Sequence, residues 1–316
     1  MSTNVVAIDS TRAAVERALK GHRIDVRGRV FQLILLSTLA ISLGVLITLV
    51  WSTWQTAKPV FEERGFDFVR SNVSSLASRA GVRQGIIGSL FIVAIVAVLA
   101  MPLGIAASVY LQEYARDTRL NRVLISNIRN LAGVPSIVYG ILGFAVFAKT
   151  LRAITGPNVP RGSLLAGGLT LTVLVMPIVI LVTMEALRTV PKSIREAAYG
   201  VGATRWEVVR SHVLPYAAPG IFTGAILSLA RAFGETAPLL MVGAILGYFT
   251  PARGVSLVQT LQGNYTALPA QIFSFSRQIG DEWRANAAAA IIVLLLVILL
   301  VNAIAIVLRN RYERKW

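Results

Sequence analysis

The chain contains no cysteine and only two histidines, His22 and His212. Disulfides and thiolate metal centres are therefore excluded, and a histidine-built metal site is not expected. It is also poor in acid: 15 Asp and Glu stand against 31 Lys and Arg, a formal net charge of +16 at pH 7. No carboxylate cluster, nucleophile elbow or zinc-type histidine pair occurs, so catalysis by this chain is not expected. The nearest approach to a phosphate-binding P-loop is Gly143 to Thr150, GFAVFAKT, where Ala148 replaces the second glycine. An apolar run precedes it instead of a strand, and no helix opens after Thr150, so the backbone cradle cannot form. The chain thus has no nucleotide site of its own and no cofactor is expected in it.

What it has in quantity is apolar sequence. Of 316 residues 55% are hydrophobic, the mean hydropathy is +0.67, and several runs approach the roughly 20 residues that cross a bilayer. This composition predicts an all-α integral membrane protein, because no alternating pattern suggests a barrel and a lipid-exposed backbone must satisfy its own hydrogen bonds. Six spans can be drawn: Val30 to Trp51, Ile86 to Tyr110, Leu131 to Ala148, Leu164 to Met184, Ile221 to Gly247 and Ala287 to Leu308. The first follows 29 mostly polar residues, a long lead for a cleavable signal peptide, and is read as a retained span. Pro102, Pro177 and Pro238 fall inside spans, where proline often marks a kink.

The positive charge could suggest nucleic acid, but the basic residues flank the apolar runs and so orient them instead; no nucleic-acid partner is expected. With the N-terminus inside, the inner segments carry 19 of the 31 Lys and Arg and the outer segments 11, Arg231 being the remaining one. Both termini are therefore placed in the cytoplasm. The chain divides into a cytoplasmic tail (1–29), a first span (30–51), an extracytoplasmic stretch (52–85), a core that holds the other five spans (86–308) and a basic cytoplasmic tail (309–316). The mixed charges of 52–85 suit either a docked loop or an interfacial helix. Trp51, Trp54 and Trp283 are expected to be interfacial anchors.

The core is interrupted by the polar cytoplasmic stretch 188–220, and its centre, Glu196 to Pro215, reads EAAYGVGATRWEVVRSHVLP. Ser193 with Glu196, and Thr204 with Glu207, have capping-box spacing, which predicts helices starting near Ile194 and Arg205. Gly202 is placed to end the first helix in a left-handed conformation, and Leu214-Pro215 to close the second. The exposed face is expected to mix Ala197, Ala198, Val201 and Trp206 with Arg195, Arg205 and Arg210. By pattern alone that face suits a groove on another protein and a lipid surface equally.

The same stretch resembles the EAA loop of ABC-importer permeases. Glu196, Ala197, Ala198, Gly202, Leu214 and Pro215 match its spacing, while His212 stands where an apolar Ile is usual. Two further segments, ARAFGETAPLL (230–240) and TALPAQIF (266–273), are similar to the paired signatures of the PstA-type phosphate permeases, and GVPSIVYGI (133–141) is in keeping with them. The related PstC type shares the Arg-x-x-Gly-Glu-Thr pattern but not the residues that follow it. The resemblance implies a type I ABC-importer permease (MetI-like) fold of six transmembrane helices in the bacterial inner membrane. It also implies a PstC-type partner permease, two ATP-binding subunits docked on the EAA loop and carrying ATP and Mg, and an extracytoplasmic phosphate-binding protein. The cargo would be phosphate, with sulfate or molybdate as the alternative oxyanions. A self-contained secondary transporter is the alternative of another class, but neither the inverted repeats nor the broken helices usual there are legible.

Physics singles out Arg231 independently. Ten residues into its predicted span it lies about 15 Å deep at ~1.5 Å per residue, beyond snorkelling reach. A charge there costs at least about 2.5–3.5 kcal/mol unless it faces the protein or water. Glu235, four residues on, would share its helical face and pair with it. Arg231, Glu235 and Thr236 are the expected substrate path, with Arg231 offering a bidentate contact to an oxyanion; the competing reading is an ion pair that only fixes helix packing. Glu185 with Arg188 is expected to be an interfacial pair, and Asn302 an interhelical hydrogen-bonding group.

Overall fold

The computed structural model describes residues 26–244 and 256–312, and every regular element among them is helical. Most of the 1–29 tail, the last four residues of the 309–316 tail and the end of the fifth predicted span, including Gly247, lie outside the described residues. The main helices are α1 (Val26–Arg64), α2 (Arg83–Val109), α3 (Arg119–Ala132), α4 (Ser136–Gly143), α5 (Leu164–Arg188), α6 (Lys192–Gly200), α7 (Arg205–Val208), α8 (Leu214–Gly234), α9 (Ala237–Met241), α10 (Leu268–Ser276) and α11 (Asp281–Tyr312). Among the described residues five continuous helices are long and apolar enough to cross a membrane, and α3 with α4 and its extension makes up to a sixth if that bent pair counts as one span.

The chain separates into two units, 1–52 and 53–316. In the first, every described residue up to Val50 is exposed, large apolar side chains such as Leu33 and Leu46 included. An apolar surface of this extent marks a membrane or protein contact. The second unit is built on α5, the most enclosed span. Its Leu171, Leu174, Val175 and Val179 share a core with Ile92, Val96 and Ala100 of α2. The buried Ser108 hydroxyl donates to the Ile180 carbonyl at 2.9 Å, linking the inner ends of these two helices. Gly220 and Gly224 of α8 face Ala186 and Val182 of α5, a small-residue spacing that lets the two helices approach closely. Gly243, by contrast, has φ +91° and serves a turn.

The stretch drawn as 52–85 is not a simple loop. α1 continues through Arg64, and the following residues fold into a second core in which Phe68, Ala80 and Val82 are fully buried with Leu268, Phe275 and Ala289. Polar side chains pin this region: Gln271 Nε2 donates to Gly81 O and Asn286 Nδ2 to Ala77 O, both at 2.8 Å. Trp283 belongs to the same core, 9% exposed and 5.3 Å from the Phe275 ring, so it is a packing residue and not an interfacial anchor. Trp51 and Trp54 are exposed.

Two predicted spans are broken. The third does not run from Leu131: α3 stops at Ala132, Gly133 to Pro135 turns the chain, and α4 leaves with its π-helical extension Phe144–Thr150 at 100° to α3. Proline disfavours helical backbone in the residue before it and fixes its own φ, which ends one helix and starts the next. The Tyr139 hydroxyl closes the corner by donating to the Leu131 carbonyl at 2.8 Å, satisfying one of the orphan acceptors at the end of α3. The fifth span ends at Gly234 instead of Gly247. Pro238 explains this, since in a continued helix its ring would meet the carbonyl of Gly234; it serves instead in the first turn of α9. Pro102 and Pro177 ride inside unbroken helices.

Candidate functional site

Two regions hold the residues singled out by sequence. At the inner end, α6 and α7 form the predicted hairpin. Gly202 adopts φ +84°, and the amides of Gly202 and Ala203 bond the carbonyls of Tyr199 and Ala198 at 2.9 and 3.1 Å, which closes the last turn of α6. Thr204 and Glu207 form the expected capping box. Glu207 accepts from the Thr204 amide and hydroxyl, both at 2.7 Å, and the Glu207 amide reaches Thr204 Oγ1 at 3.4 Å. Those bonds to the carboxylate hold Glu207 below its ordinary range, the Thr204 hydroxyl contributing most.

Three expectations for the hairpin are corrected. Ser193 caps nothing, because α6 already starts at Lys192 behind Pro191, which places Ser193 in the first turn. Leu214-Pro215 does not close the second helix; the chain stays helical from Arg205 to Gly234. The π-helical turn Val209–Val213 widens the backbone ahead of Pro215, where the ring would otherwise meet the Ser211 carbonyl. Ala198 and Arg195 are not on the exposed face. Ala198 is buried with Leu187, Val190, Val208 and Val213, and Arg195 turns inward. Its guanidinium holds Glu113 through two contacts of 2.8 and 3.4 Å and also donates to the carbonyls of Val190 and Leu187 at 2.7 and 3.0 Å. Arg205 stands 5.1 Å over the ring of Tyr114. Both helices of the hairpin are thereby tied to the π-helical turn Tyr110–Tyr114 that ends the second span. Glu196, Ala197, Val201, Trp206 and Arg210 remain exposed, Leu214 is half-buried, and Pro215 lines an open groove of about 260 Å³ with Ile194, Ser211, His212 and Tyr216.

Further along the same helix, Arg231 and Glu235 are paired, Nε to Oε1 at 3.2 Å. They are not on one helical face. Glu235 lies past the end of α8 in extended backbone (φ −74°, ψ 120°), so the helix break aims the carboxylate back at the guanidinium. Arg231 is 43% exposed and Glu235 15%. The two terminal nitrogens of Arg231 have no hydrogen-bond partner among the described residues, and the Thr236 hydroxyl has only a long contact of 3.5 Å to Gly234 O. The three signature segments assemble around this break. Gly140 lies against Pro238 and Met241, so closely that a Cβ there would come within 2.8 Å of Pro238 Cα. The buried Tyr265 hydroxyl, just ahead of TALPAQIF, donates to Leu239 O at 3.1 Å. Tyr139 lies within electrostatic reach of Arg231.

Comparison with known proteins decides what this arrangement belongs to. Residues 100–316 match the family model described as binding-protein-dependent transport system inner membrane component. The chain belongs to that family. Within it, the chain is 36% identical over 238 residues to the phosphate transport system permease protein PstA 1 of Mycobacterium tuberculosis (strain ATCC 25618 / H37Rv), covering 72% of this chain and 71% of that one. It is 34% identical over 180 residues to the probable ABC transporter permease protein YqgI of Bacillus subtilis (strain 168); that match spans 57% of this chain and 59% of YqgI. The fold matches a chain of the bacterial alginate ABC transporter, crystallised with an alginate-bound periplasmic protein, at a TM-score of 0.63 and 16% identity over 92% of this chain and 96% of that one. The architecture is therefore that of a type I ABC-importer permease, and the chain is a multi-pass component of the inner membrane.

For such an inner membrane component, several residues that the sequence left unmarked carry the site. Glu113 and Tyr114 hold the hairpin, Tyr139 closes the corner beside Arg231, and Tyr265 and Gln271 fix the outer wall. Glu113 had one weak signal, an acid at the inner end of a span in an acid-poor chain. Tyr139 and Tyr265 had none beyond their places in or beside the signature segments, and Tyr114 had none.

Proposed function

We propose that this chain is the PstA-type permease subunit of an ATP-driven importer of inorganic phosphate. The observation that carries the proposal is the half-exposed Arg231, held by one contact to Glu235 at a helix break within the fifth span. An arginine at that depth cannot be left to lipid without a cost of at least about 2.5–3.5 kcal/mol, so the surface bearing it is expected to meet another subunit or a water-filled path. A second permease of the PstC type would supply the opposite wall. The open nitrogens of Arg231 suit a bidentate contact with a tetrahedral oxyanion, and Thr236 can add a hydroxyl. Glu235 would hold the guanidinium between cargoes and keep anion binding from becoming too tight to release.

In this reading the exposed side of the α6–α7 hairpin, with Glu196, Ala197, Val201 and Trp206, docks on one of two ATP-binding subunits. Ala198, Gly202, Leu214 and Pro215 give the hairpin its shape. ATP and Mg are bound and used on those subunits, and the chain needs no cofactor of its own. An extracytoplasmic phosphate-binding protein would deliver the cargo to the outer face. The support is threefold: the relatives named as phosphate permeases, the missing P-loop, and the ties that transmit hairpin movement into α2 through Glu113 and Tyr114.

Uptake of labelled phosphate by vesicles containing the assembled complex, binding protein outside and ATP inside, tests the proposal. Uptake that needs all three components is expected. Equal competition by sulfate would favour another oxyanion importer, and uptake without the ATP-binding subunits would favour a secondary transporter.

A further inference from the structure

α3, Arg119–Ala132, has no part in the scheme above, and none of its residues is buried. Its sequence, RLNRVLISNIRNLA, is divided into three edges by a repeat of 3.6 residues per turn. Asn121, Ile125, Ile128 and Ala132, spaced three and four apart, are half-buried, and the helix packs on α5. Leu120, Leu124 and Leu131 form a second edge, 68, 43 and 47% exposed. Arg119, Arg122 and Arg129 are exposed on the opposite side, and the helix contains no acid. Arg122 touches Asp117 at 3.4 Å, but both side chains are solvent-exposed and such a pair holds little energy.

The setting says what covers these two open edges. α3 runs at 100° to the short third span, so when that span crosses the membrane α3 lies along its surface. It lies in the segment 111–130, which the distribution of basic residues places on the inner side. A helix with one apolar edge, one polar edge whose only charges are cationic and a course along the bilayer plane has the composition of an interfacial helix. We infer that α3 rests in the inner leaflet, with Leu120, Leu124 and Leu131 among the acyl chains and Arg119, Arg122 and Arg129 on the phosphates of anionic lipid. The Tyr139 bond to Leu131 O would make this helix a fixed foot for the corner that leads to α4. The inference does not depend on which anion the complex carries.

The absence of cysteine makes the test direct, since single cysteines for nitroxide labels can be placed at Leu124 or Ser126 without removing native thiols. The complex, assembled with cysteine-free partners, is reconstituted in vesicles of phosphatidylglycerol and phosphatidylcholine. Collision with dissolved oxygen should relax the Leu124 label several-fold more than collision with a water-soluble nickel chelate, and the order should reverse at Ser126. Removing phosphatidylglycerol, or introducing R119Q, R122Q and R129Q together, should shrink that contrast. Equal access of the nickel chelate to both labels would put α3 in water and overturn the inference. A Leu124 label that neither reagent reaches would mean that a protein subunit covers the edge, which overturns it as well. A contrast unchanged by lipid charge and by the triple substitution would refute the anionic half of the proposal.

Discussion

Arg195 and Arg231 each hold a glutamate, and the difference between the two pairs separates a fastening from a site. Arg195 is 19% exposed and Glu113 9%; the guanidinium meets its carboxylate twice and two backbone carbonyls besides. Each of its three nitrogens is engaged, which leaves no pair of open nitrogens for a ligand. Arg231 is 43% exposed, meets Glu235 once at 3.2 Å, and keeps its terminal nitrogens open. The first pair is closed by protein on every side, and the second is closed only at one nitrogen. A buried pair with all three nitrogens engaged resists change, because breaking it strands a charge, whereas a pair whose terminal nitrogens are open can exchange partners. The fastening sits where the coupling hairpin must follow the second span, and the exchangeable pair sits at the break where cargo would pass.

The largest effect is expected at the fastening. Glu113→Gln leaves Arg195 enclosed without a countercharge and should cost about 3 kcal/mol of stability, at the low end of the range for breaking a buried pair. A drop in the thermal midpoint of the complex would report it, and Glu113→Gln with Arg195→Met should recover much of the loss. If Glu113→Gln proved harmless, the contrast between the pairs would be lost. Next comes Arg231→Gln, which should leave the midpoint and the association with ATP-binding subunits unchanged while uptake falls about 100-fold or more, roughly 2.7 kcal/mol at ~1.4 kcal/mol per tenfold. Normal uptake would make Arg231 a packing residue like Arg195. Gly140→Ala tests the frame between these extremes. Its Cβ would fall 2.8 Å from Pro238 Cα, a backbone atom that cannot swing aside, so α9 must shift. About 1–2 kcal/mol of strain is expected, with a partial fall in uptake because Glu235 is positioned by the same break.

Much of the frame was legible in the sequence because membrane spans and turn glycines are local signals. Runs of apolar residues located α2, α5 and α11 closely, and the Thr204 capping box and left-handed Gly202 needed only their neighbours. Breaks were less legible. Pro238 was read as a kink within a span, because proline alone does not separate a helix that bends, as at Pro102, from one that stops. The stop shows only in the backbone, where Glu235 is already extended three residues ahead of Pro238. The long-range polar bonds were not legible at all: Arg195 looked like one more basic residue on an exposed face until the fold brought Glu113, 82 residues earlier, beside it. For the same reason 52–85 read as a loop, although contacts with α10 and α11 give it a core.

The smallest effect concerns the cap of α7, and it asks whether the hairpin holds its own shape or only borrows it from Glu113 and Tyr114. Glu207 is solvent-exposed, outside the apolar stretch of the helix, and its bonds from Thr204 lower its pKa below the ordinary 4.5. A carboxyl lowered by folding contributes stability that is fully present above the ordinary value and lost as pH falls through the lowered one. Amide protection at Arg205 to Val208, corrected for intrinsic exchange, should therefore stay level from about pH 7 to about pH 5 and decline below that. Thr204→Ala should lower protection at neutral pH and flatten that decline, since it removes the side-chain bond that contributes most to the shift. In both cases protection at Ala198, which lies under the Arg195 fastening, should hold. If Ala198 opened together with Arg205 to Val208, the hairpin would be one cooperative unit, and the contact with the second span would not stabilise α6 separately from its partner.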